Sequence, residues 1–210
     1  MEYLQGLNLS QLVKEQGPLS ATTARAFIRQ VAAALRQAHG LGHVHGDIKP
    51  HNLMLERPDR IKVLDFGLTR LITNPSSNES PTREPITTQM LDQGSLATIA
   101  TSDGMILGTP DFIAPEQITD SKRRDRRSDL YSLGCTFYYL LTGHVPFETE
   151  SVLQKLRAHQ NSTPRPISAY RSDVPVEMIT VVGRVMSKRP EDRFQTSNEL
   201  ANGLDRLTML

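Results

Sequence analysis

Apolar residues at three- and four-residue intervals predict an amphipathic helix from Ser20 to His39. The apolar positions on one face of this helix are Ala24, Phe27, Ile28, Val31, Leu35 and Ala38. The Ser20 side chain can cap the helix start, and Gly40 follows where the pattern ends. One face of this helix is therefore expected to be buried.

A second helix is predicted from Leu130 to Thr142, where apolar residues occur on nearly every side. A helix without a polar face belongs in the middle of a domain rather than on its surface. Apolar clusters at 178–186 and 200–207 predict further amphipathic helices near the end of the chain.

Two short apolar runs between these helices predict strands. The runs are Asn52–Leu55 and Arg60–Leu64, and the polar, proline-containing segment 56–59 between them is typical of a hairpin turn. Segment 74–88, by contrast, consists mainly of Ser, Thr, Asn, Pro and Glu, so we expect a mobile loop over about 74–97. Together these patterns predict a mainly α fold with a small β-hairpin.

Composition and charge exclude several classes of function. The 24 Lys and Arg residues nearly cancel the 23 Asp and Glu residues, so no global basic field suggests nucleic acid as a partner. The most apolar stretch, 130–141, is too short to span a bilayer. The chain start has no signal-peptide pattern, and the single Cys135 excludes an internal disulfide. We therefore expect a cytoplasmic protein without a membrane segment.

Specific motifs follow the first predicted helix. Residues 45–52 read His-Gly-Asp-Ile-Lys-Pro-His-Asn, and residues 65–67 read Asp-Phe-Gly. Four further matches follow in order: Gly-Thr-Pro at 108–110, Ala-Pro-Glu at 114–116, Asp129 at the start of the buried helix, and Arg193. With these motifs the chain resembles the large, C-terminal lobe of eukaryotic-type Ser/Thr protein kinases, most similar to the bacterial kind. The resemblance covers residues 1–210, with a hinge at the start and an activation segment at 65–116.

The resemblance implies ATP and Mg2+ as cofactors and a protein Ser or Thr hydroxyl as the phosphate acceptor. Asp47 matches the residue that accepts or orients the hydroxyl proton, and Lys49 places a cation beside the γ-phosphate. Asn52 and Asp65 match the oxygen ligands of Mg2+. Thr109 is expected to form a hydrogen bond close to Asp47 and to shape the surface that receives the substrate.

Other matches imply supporting roles. Asp129 is expected to accept hydrogen bonds from the backbone of the catalytic loop. Glu116 and Arg193 are expected to form a partly buried ion pair, whose loss would leave an unpaired charge.

The same resemblance outlines half of an adenine pocket. Met54 would form the floor of this pocket, and the backbone of Glu2 and Leu4 would meet the adenine edge.

The chain departs from the family pattern in two respects. Gly46 stands where many kinases carry an Arg that pairs with an activation-segment phosphate, so this kind of switch is not expected. Further, the 210 residues begin at the hinge and contain no counterpart of the glycine-rich loop, the strand lysine and the helix glutamate of the N-terminal lobe. An internal start, a truncated gene model and a short natural protein all remain open as explanations.

Two functions are compatible with the resemblance. The first is a Ser/Thr protein kinase that transfers the ATP γ-phosphate to protein hydroxyls, although the chain alone is expected to be weakly active. The alternative is a catalytically inert, kinase-like binding or scaffolding protein. In both cases an exposed hinge side would favour a partner or self-association.

A metal site built from histidines is a less favoured interpretation. His39, His43, His45 and His51 are close in sequence, but no Cys accompanies them. The resemblance instead makes His45 a packing residue of the core.

Overall fold

The structure is a computed structural model that describes residues 6–57, 59–65, 70–71, 97–101, 104–120 and 123–207. Its helices are α1 (Leu9–Gln16), α2 (Ala21–Gly40), α3 (Pro115–Thr119), α4 (Arg126–Thr142), α5 (Val152–Asn161), α6 (Val176–Val185) and α7 (Ser197–Asp205). Its strands are β1 (Leu7–Asn8), β2 (His43–Val44), β3 (Leu53–Arg57), β4 (Arg60–Val63), β5 (Arg70–Leu71), β6 (Ala97–Thr101) and β7 (Gly104–Gly108). The predicted fold class, mainly α with a small hairpin, is confirmed.

Helix α4 lies at the centre of the fold. Every residue from Ser128 to Thr142 is buried, as the apolar pattern predicts. The helix begins four residues before the predicted start because the Asp125 side chain caps it, accepting a hydrogen bond from the Arg127 amide at 2.7 Å. Helices α2 and α6 pack against α4. The first turn of α4 therefore holds its side chains in fixed positions within the core.

Helix α2 buries the face that its periodicity predicts. The Ser20 hydroxyl accepts a hydrogen bond from the Thr23 amide at 3.1 Å and so caps the first turn. The buried side chains of α2 are Ala21, Ala24, Phe27, Ile28, Val31, Ala32 and Leu35. Helices α4 and α7 cover this face. The helix runs through Gly40, one residue beyond the prediction, and leads the chain into β2 and the segment 45–52.

The predicted hairpin is formed by β3 and β4. These strands pair antiparallel, with Leu53 opposite Val63 and Leu55 opposite Ile61, and β1 pairs with the other edge of β3. Strand β3 begins after Asn52 because Pro50–Asn52 forms a 3-10 turn, closed by a hydrogen bond from the Asn52 amide to the Lys49 carbonyl. This turn places the motif residues directly at the start of the sheet.

A second hairpin, β6–β7, was not predicted. Ala97 lies opposite Gly108 and Thr101 opposite Gly104. Its sequence signal is the Asp103-Gly104 pair, a frequent turn dipeptide, between two β-branched and apolar runs. Apart from Ala97, the predicted loop at 74–97 lies outside the described residues.

The apolar run of α4 belongs to the protein core. Within the residues that the structure describes, no helix is both long and apolar enough to cross a membrane.

Cys135 is fully buried in α4, and this burial raises the pKa of its thiol to about 12. The thiol is therefore a small core side chain rather than a nucleophile.

Candidate active site

Four side chains from two distant parts of the chain form one buried polar cluster. The Lys49 ammonium lies 2.9 Å from Oδ2 of Asp47 and donates a hydrogen bond to Oγ1 of Thr109 at 2.7 Å. Thr109 in turn donates to Oδ1 of Asp47 at 3.2 Å. Nδ2 of Asn52 donates to Oδ2 of Asp47 at 3.0 Å and to its backbone carbonyl at 2.8 Å. The predicted contact between Thr109 and Asp47 is thus present.

This cluster holds a carboxylate and an ammonium side by side with little access to water. Asp47 is 9% exposed and Lys49 is 4% exposed. A buried ion pair is stable only when hydrogen bonds satisfy its remaining atoms, and Thr109 and Asn52 provide these bonds. The arrangement fixes a proton acceptor and a cation at one point, which suits proton transfer and the binding of an anionic group.

Asp129, in the first turn of α4, anchors the backbone that precedes Asp47. Its carboxylate accepts hydrogen bonds from the His45 amide at 2.9 Å and from the Gly46 amide at 2.7 Å. These are the backbone contacts that the sequence predicts for Asp129. Nε2 of His39 lies 2.8 Å from the same carboxylate. The buried helix therefore fixes the backbone that leads into Asp47.

Gly46 has a left-handed backbone with φ of 78°, a conformation that side chains other than glycine adopt at a cost. A Cβ atom at this position would also lie 2.5 Å from Nη1 of Arg124. The guanidinium of Arg124 therefore occupies the space that a side chain at position 46 would need. Sequence reasoning noted the missing Arg at 46 but missed Arg124, although the basic run 122–127 was a visible signal.

Asp65 follows a residue that is fixed from two sides. The Leu64 amide donates to the Asn52 carbonyl at 2.8 Å, and the Leu64 carbonyl lies 2.9 Å from Nε2 of His45. Asp65 itself has a φ of 58°, in the left-handed region that is unusual for a residue with a side chain. Such strain is maintained by its surroundings and is frequent at functional sites.

The donor set formed by Asn52 and Asp65 fits magnesium. Because Nδ2 of Asn52 donates to Asp47, the amide oxygen of Asn52 is left as the atom available to a cation. Asp65 is exposed two residues after the end of β4. It follows Leu64, whose amide donates a hydrogen bond to the Asn52 carbonyl. Amide and carboxylate oxygens are ligands that Mg2+ prefers. Phe66 and Gly67 of this motif lie outside the described residues.

Glu116 and Arg193 form the predicted ion pair, and it is more deeply buried than predicted. Nη1 and Nη2 of Arg193 donate to the two carboxylate oxygens of Glu116 at 2.7 and 2.8 Å. Arg193 is 1% exposed, and its other hydrogen bonds go to the carbonyls of Ser187, Lys188 and Arg127. This bidentate pair joins the segment after Thr109 to the far end of the chain.

The predicted adenine pocket is only partly described. Met54 lies in β3, opposite Asn8 of β1. Gly6 approaches this strand so closely that a Cβ atom there would lie 2.4 Å from the Leu55 carbonyl oxygen. Gly6 therefore lies beside Met54. Glu2 and Leu4 lie outside the described residues.

Two of the four histidines near the site, His39 and His45, make structural contacts. His39 lies between the Asp129 carboxylate and the Ser197 hydroxyl, and His45 contacts the Leu64 carbonyl. Both rings are thus engaged in hydrogen bonds that hold the fold together. Within the described part of the chain, no group of three or more His, Cys, Asp or Glu residues could hold a metal ion.

His159 is a fully buried histidine of α5. Its Nδ1 atom lies 3.0 Å from the Tyr131 hydroxyl, and the Phe147 ring packs edge-on against it. Burial, and next the positive charge of Lys188, lower the pKa of His159 to about 3 from an ordinary value of 6.5. The folded protein therefore contains a neutral imidazole here across the physiological range of pH.

We expect this histidine to make the fold acid-sensitive. Between pH 6.5 and about 3 the unfolded chain binds a proton on His159 that the folded protein does not, so stability is full above pH 6.5 and falls as the pH falls. The expected loss between pH 7 and pH 4 is about 3 kcal/mol. Urea unfolding across this range should show a shallower pH dependence for His159→Gln than for wild type. The exposed His144→Gln variant is the control, and equal slopes for His159→Gln and wild type would contradict the prediction.

Comparison with known proteins gives one consistent result. Residues 1–202 match the family model described as protein kinase domain. The chain is 36% identical to the serine/threonine-protein kinase pkn3 of Myxococcus xanthus, over 92% of the chain and 33% of that protein. It is 34% identical to a probable serine/threonine-protein kinase PknB of Corynebacterium glutamicum, over 99% of the chain and 29% of that protein. The chain thus spans about a third of the length of the curated relatives it matches.

A solved structure has the same fold. The crystal structure of Rad53 1-466 in complex with AMP-PNP superposes with a TM-score of 0.70. The superposition covers 96% of this chain and 44% of that chain, at 24% sequence identity. This likeness supports the arrangement of the helices and the small sheet.

Proposed function

Because this chain belongs to the protein kinase domain family, we propose that it transfers the γ-phosphate of ATP to Ser and Thr hydroxyls of proteins. The observation that carries the proposal is the cluster in which Lys49 and Thr109 both bond to the Asp47 carboxylate. The cluster holds together a proton acceptor, Asp47, a cation, Lys49, and the hydroxyl of Thr109 that orients both, as phosphoryl transfer requires. The complete set favours this function over an inert scaffold.

Each residue of the cluster has one proposed step. Asp47 accepts a hydrogen bond from the incoming hydroxyl, aligns its oxygen for attack on phosphorus and receives its proton. Lys49 neutralises charge on the transferred phosphate, and Thr109 holds both side chains in position. Asn52 and Asp65 would hold Mg2+, which neutralises the phosphate oxygens when it is bound.

The supporting residues act through geometry. Asp129 fixes the loop that carries Asp47, and the Glu116–Arg193 pair fixes the segment that carries Thr109. Met54, with the backbone of Glu2 and Leu4, would contact the adenine. A domain that uses ATP works where ATP is available, so we propose a cytoplasmic location.

We propose further that these 210 residues act as the large lobe of the kinase fold. No residue here provides the glycine-rich loop or the strand lysine that cover the phosphates. Self-association at the hinge side is also a proposal. The large exposed apolar residues of the described part of the chain do not lie in β1 or β3, the strands next to the predicted hinge. They are Leu41, Val152, Leu153 and Val176.

The test is phosphate transfer together with nucleotide binding. The 210 residues alone should bind Mg-ATP with a Kd near or above about 1 mM, because several charge-assisted contacts of about 1.5–3 kcal/mol each are missing. Joined to an N-terminal lobe, the chain should phosphorylate Ser and Thr peptides but not Tyr peptides, and EDTA should abolish the transfer. Calorimetry and a radiolabel assay measure the two quantities. Micromolar binding with efficient transfer by the 210 residues would overturn the large-lobe proposal, and no transfer by the joined form would overturn the kinase proposal.

A further inference from the structure

Thr109 belongs to a short turn, residues 109–112, that follows the end of β7 at Gly108. Within this turn the Phe112 amide donates a hydrogen bond to the Thr109 carbonyl at 3.0 Å. That bond sets the shape of the turn but not its position relative to the catalytic loop. The Thr109 hydroxyl nevertheless meets the Asp47 carboxylate at 3.2 Å. Contacts from other elements must therefore hold the turn in place.

Helix α4 contacts the last residue of the turn. Oγ of Ser132 donates a hydrogen bond to the Phe112 carbonyl at 2.7 Å, and Ser132 is buried. The same hydroxyl lies 3.1 Å from the Ser128 carbonyl, so its one proton is shared between two acceptors. This contact is therefore a shared anchor rather than a complete one.

Helix α5 contacts the middle of the turn through an ion pair. Nζ of Lys155 donates a hydrogen bond to Oδ1 of Asp111. The two side chains are only 19% and 28% exposed, so water and salt screen this pair less than they screen a pair on the open surface. The start of α5 is itself fixed, because the Ser151 hydroxyl accepts a hydrogen bond from the Gln154 amide at 3.2 Å.

The residue after Lys155 reinforces this contact. Leu156 is 4% exposed and packs with Ile113, the residue that directly follows the turn. Ile118 of α3 packs against the same two side chains. This small cluster is separate from the main core, so α5 rather than the core positions Ile113. The ion pair thus holds the turn from within, and the apolar cluster holds the chain just beyond it.

We propose that Lys155 is a positioning residue, which acts through Asp111 and the turn 109–112 to hold the Thr109 hydroxyl against Asp47. The inference rests on the proposed kinase function and deepens it. Asp111 lies two residues from Thr109 along the backbone of the turn, and the Thr109 hydroxyl bonds to Asp47. A displacement of about 1 Å would break that bond, since a donor and an acceptor more than about 3.5 Å apart no longer form one.

A double-mutant cycle with Thr109 tests the proposal, in whichever form, the chain alone or joined to an N-terminal lobe, shows Asp47-dependent transfer. Lys155→Met removes the cation and should lower kcat by about fivefold to twentyfold, while KM for Mg-ATP stays close to that of wild type. Lys155→Arg keeps a cation and should stay within about threefold of wild type. In a Thr109→Ala background, Lys155→Met should cause no further loss of kcat, because the group that it positions is already absent.

The matched control is Lys62→Met. Lys62 pairs with Glu56 at 2.6 Å, and these side chains are 27% and 23% exposed, similar to those of the α5 pair. This variant should leave kcat close to that of wild type. Independent, multiplying losses from Lys155→Met and Thr109→Ala, or an unchanged kcat in a folded Lys155→Met, would overturn the positioning role and leave the kinase proposal intact.

Hydrogen exchange of the 210 residues provides a readout that does not need activity. The Phe112 amide, which donates to the Thr109 carbonyl, should exchange about threefold to tenfold faster in Lys155→Met than in Lys62→Met. If no form transfers phosphate, the kinase proposal fails, and this measurement decides whether Lys155 fixes the turn. Equal exchange rates in the two variants would overturn the inference.

Discussion

Asp47→Asn is expected to lower the rate of phosphate transfer by about a hundredfold to ten-thousandfold, the range typical of a lost general base. The amide cannot accept the hydroxyl proton as a carboxylate does. Its new NH2 group would also face the NH2 group of Asn52, which now donates to Oδ2 of Asp47 at 3.0 Å. The measurement is the single-turnover rate with a Ser peptide and saturating Mg-ATP, in the form that transfers phosphate.

Two controls separate this effect from a general loss of structure. Asp59→Asn removes a carboxylate from the exposed turn between β3 and β4 and should leave the rate unchanged. Mg-ATP affinity of Asp47→Asn should stay close to that of wild type. Its unfolding midpoint should fall, because the buried Lys49 ammonium loses its counter-charge, so the rate is compared under conditions where both proteins are shown to be folded. A rate within threefold of wild type would show that another group accepts the proton.

The sequence predicted most of the helices because local rules decide them. In α2, the periodic apolar face and the Ser20 cap agree with the buried face and the observed start. The α4 prediction was right about burial but began too late, because the Asp125 cap lies in a strongly charged run with no apolar signal. Helix ends that depend on one side-chain hydrogen bond are hard to place from periodicity alone.

The sequence analysis named the residues of the candidate site, but it did not predict all of the contacts around them. The family resemblance assigned Asp47, Lys49, Asn52 and Thr109 to one candidate site, and the first three share one loop. The contact of Arg124 with Gly46 was missed because it joins two loops that are distant in sequence, and the basic run 122–127 does not by itself show which residue it contacts. The buried Nδ1 atom of His51, which has no hydrogen-bond partner, was missed for a similar reason, since the lack of a partner is a property of the folded surroundings. Tertiary contacts of this kind are decided by packing of the whole domain.

Glu116→Gln is expected to destabilise the fold by about 3–5 kcal/mol, because it leaves the Arg193 guanidinium buried without a counter-charge. Arg193 is 1% exposed, so solvent cannot replace the lost carboxylate. Arg193→Met should cost at least as much, because the carbonyls of Ser187, Lys188 and Arg127 lose their donors as well. Equilibrium urea unfolding at pH 7 measures both values.

The exposed pair of Arg29 and Asp205 is the matched control for this prediction. Its side chains are 52% and 45% exposed, so Asp205→Asn should leave the stability close to that of wild type. The double variant Glu116→Gln with Arg193→Met should not recover wild-type stability, because the three carbonyls stay without donors. Glu116 lies in the first turn of α3, which follows the Thr109 segment. Partial loosening of the pair should therefore also lower transfer under conditions where the variant is still folded. A cost below 1 kcal/mol for Glu116→Gln would mean that water reaches the Arg193 guanidinium, and that the pair does not hold Thr109 against Asp47.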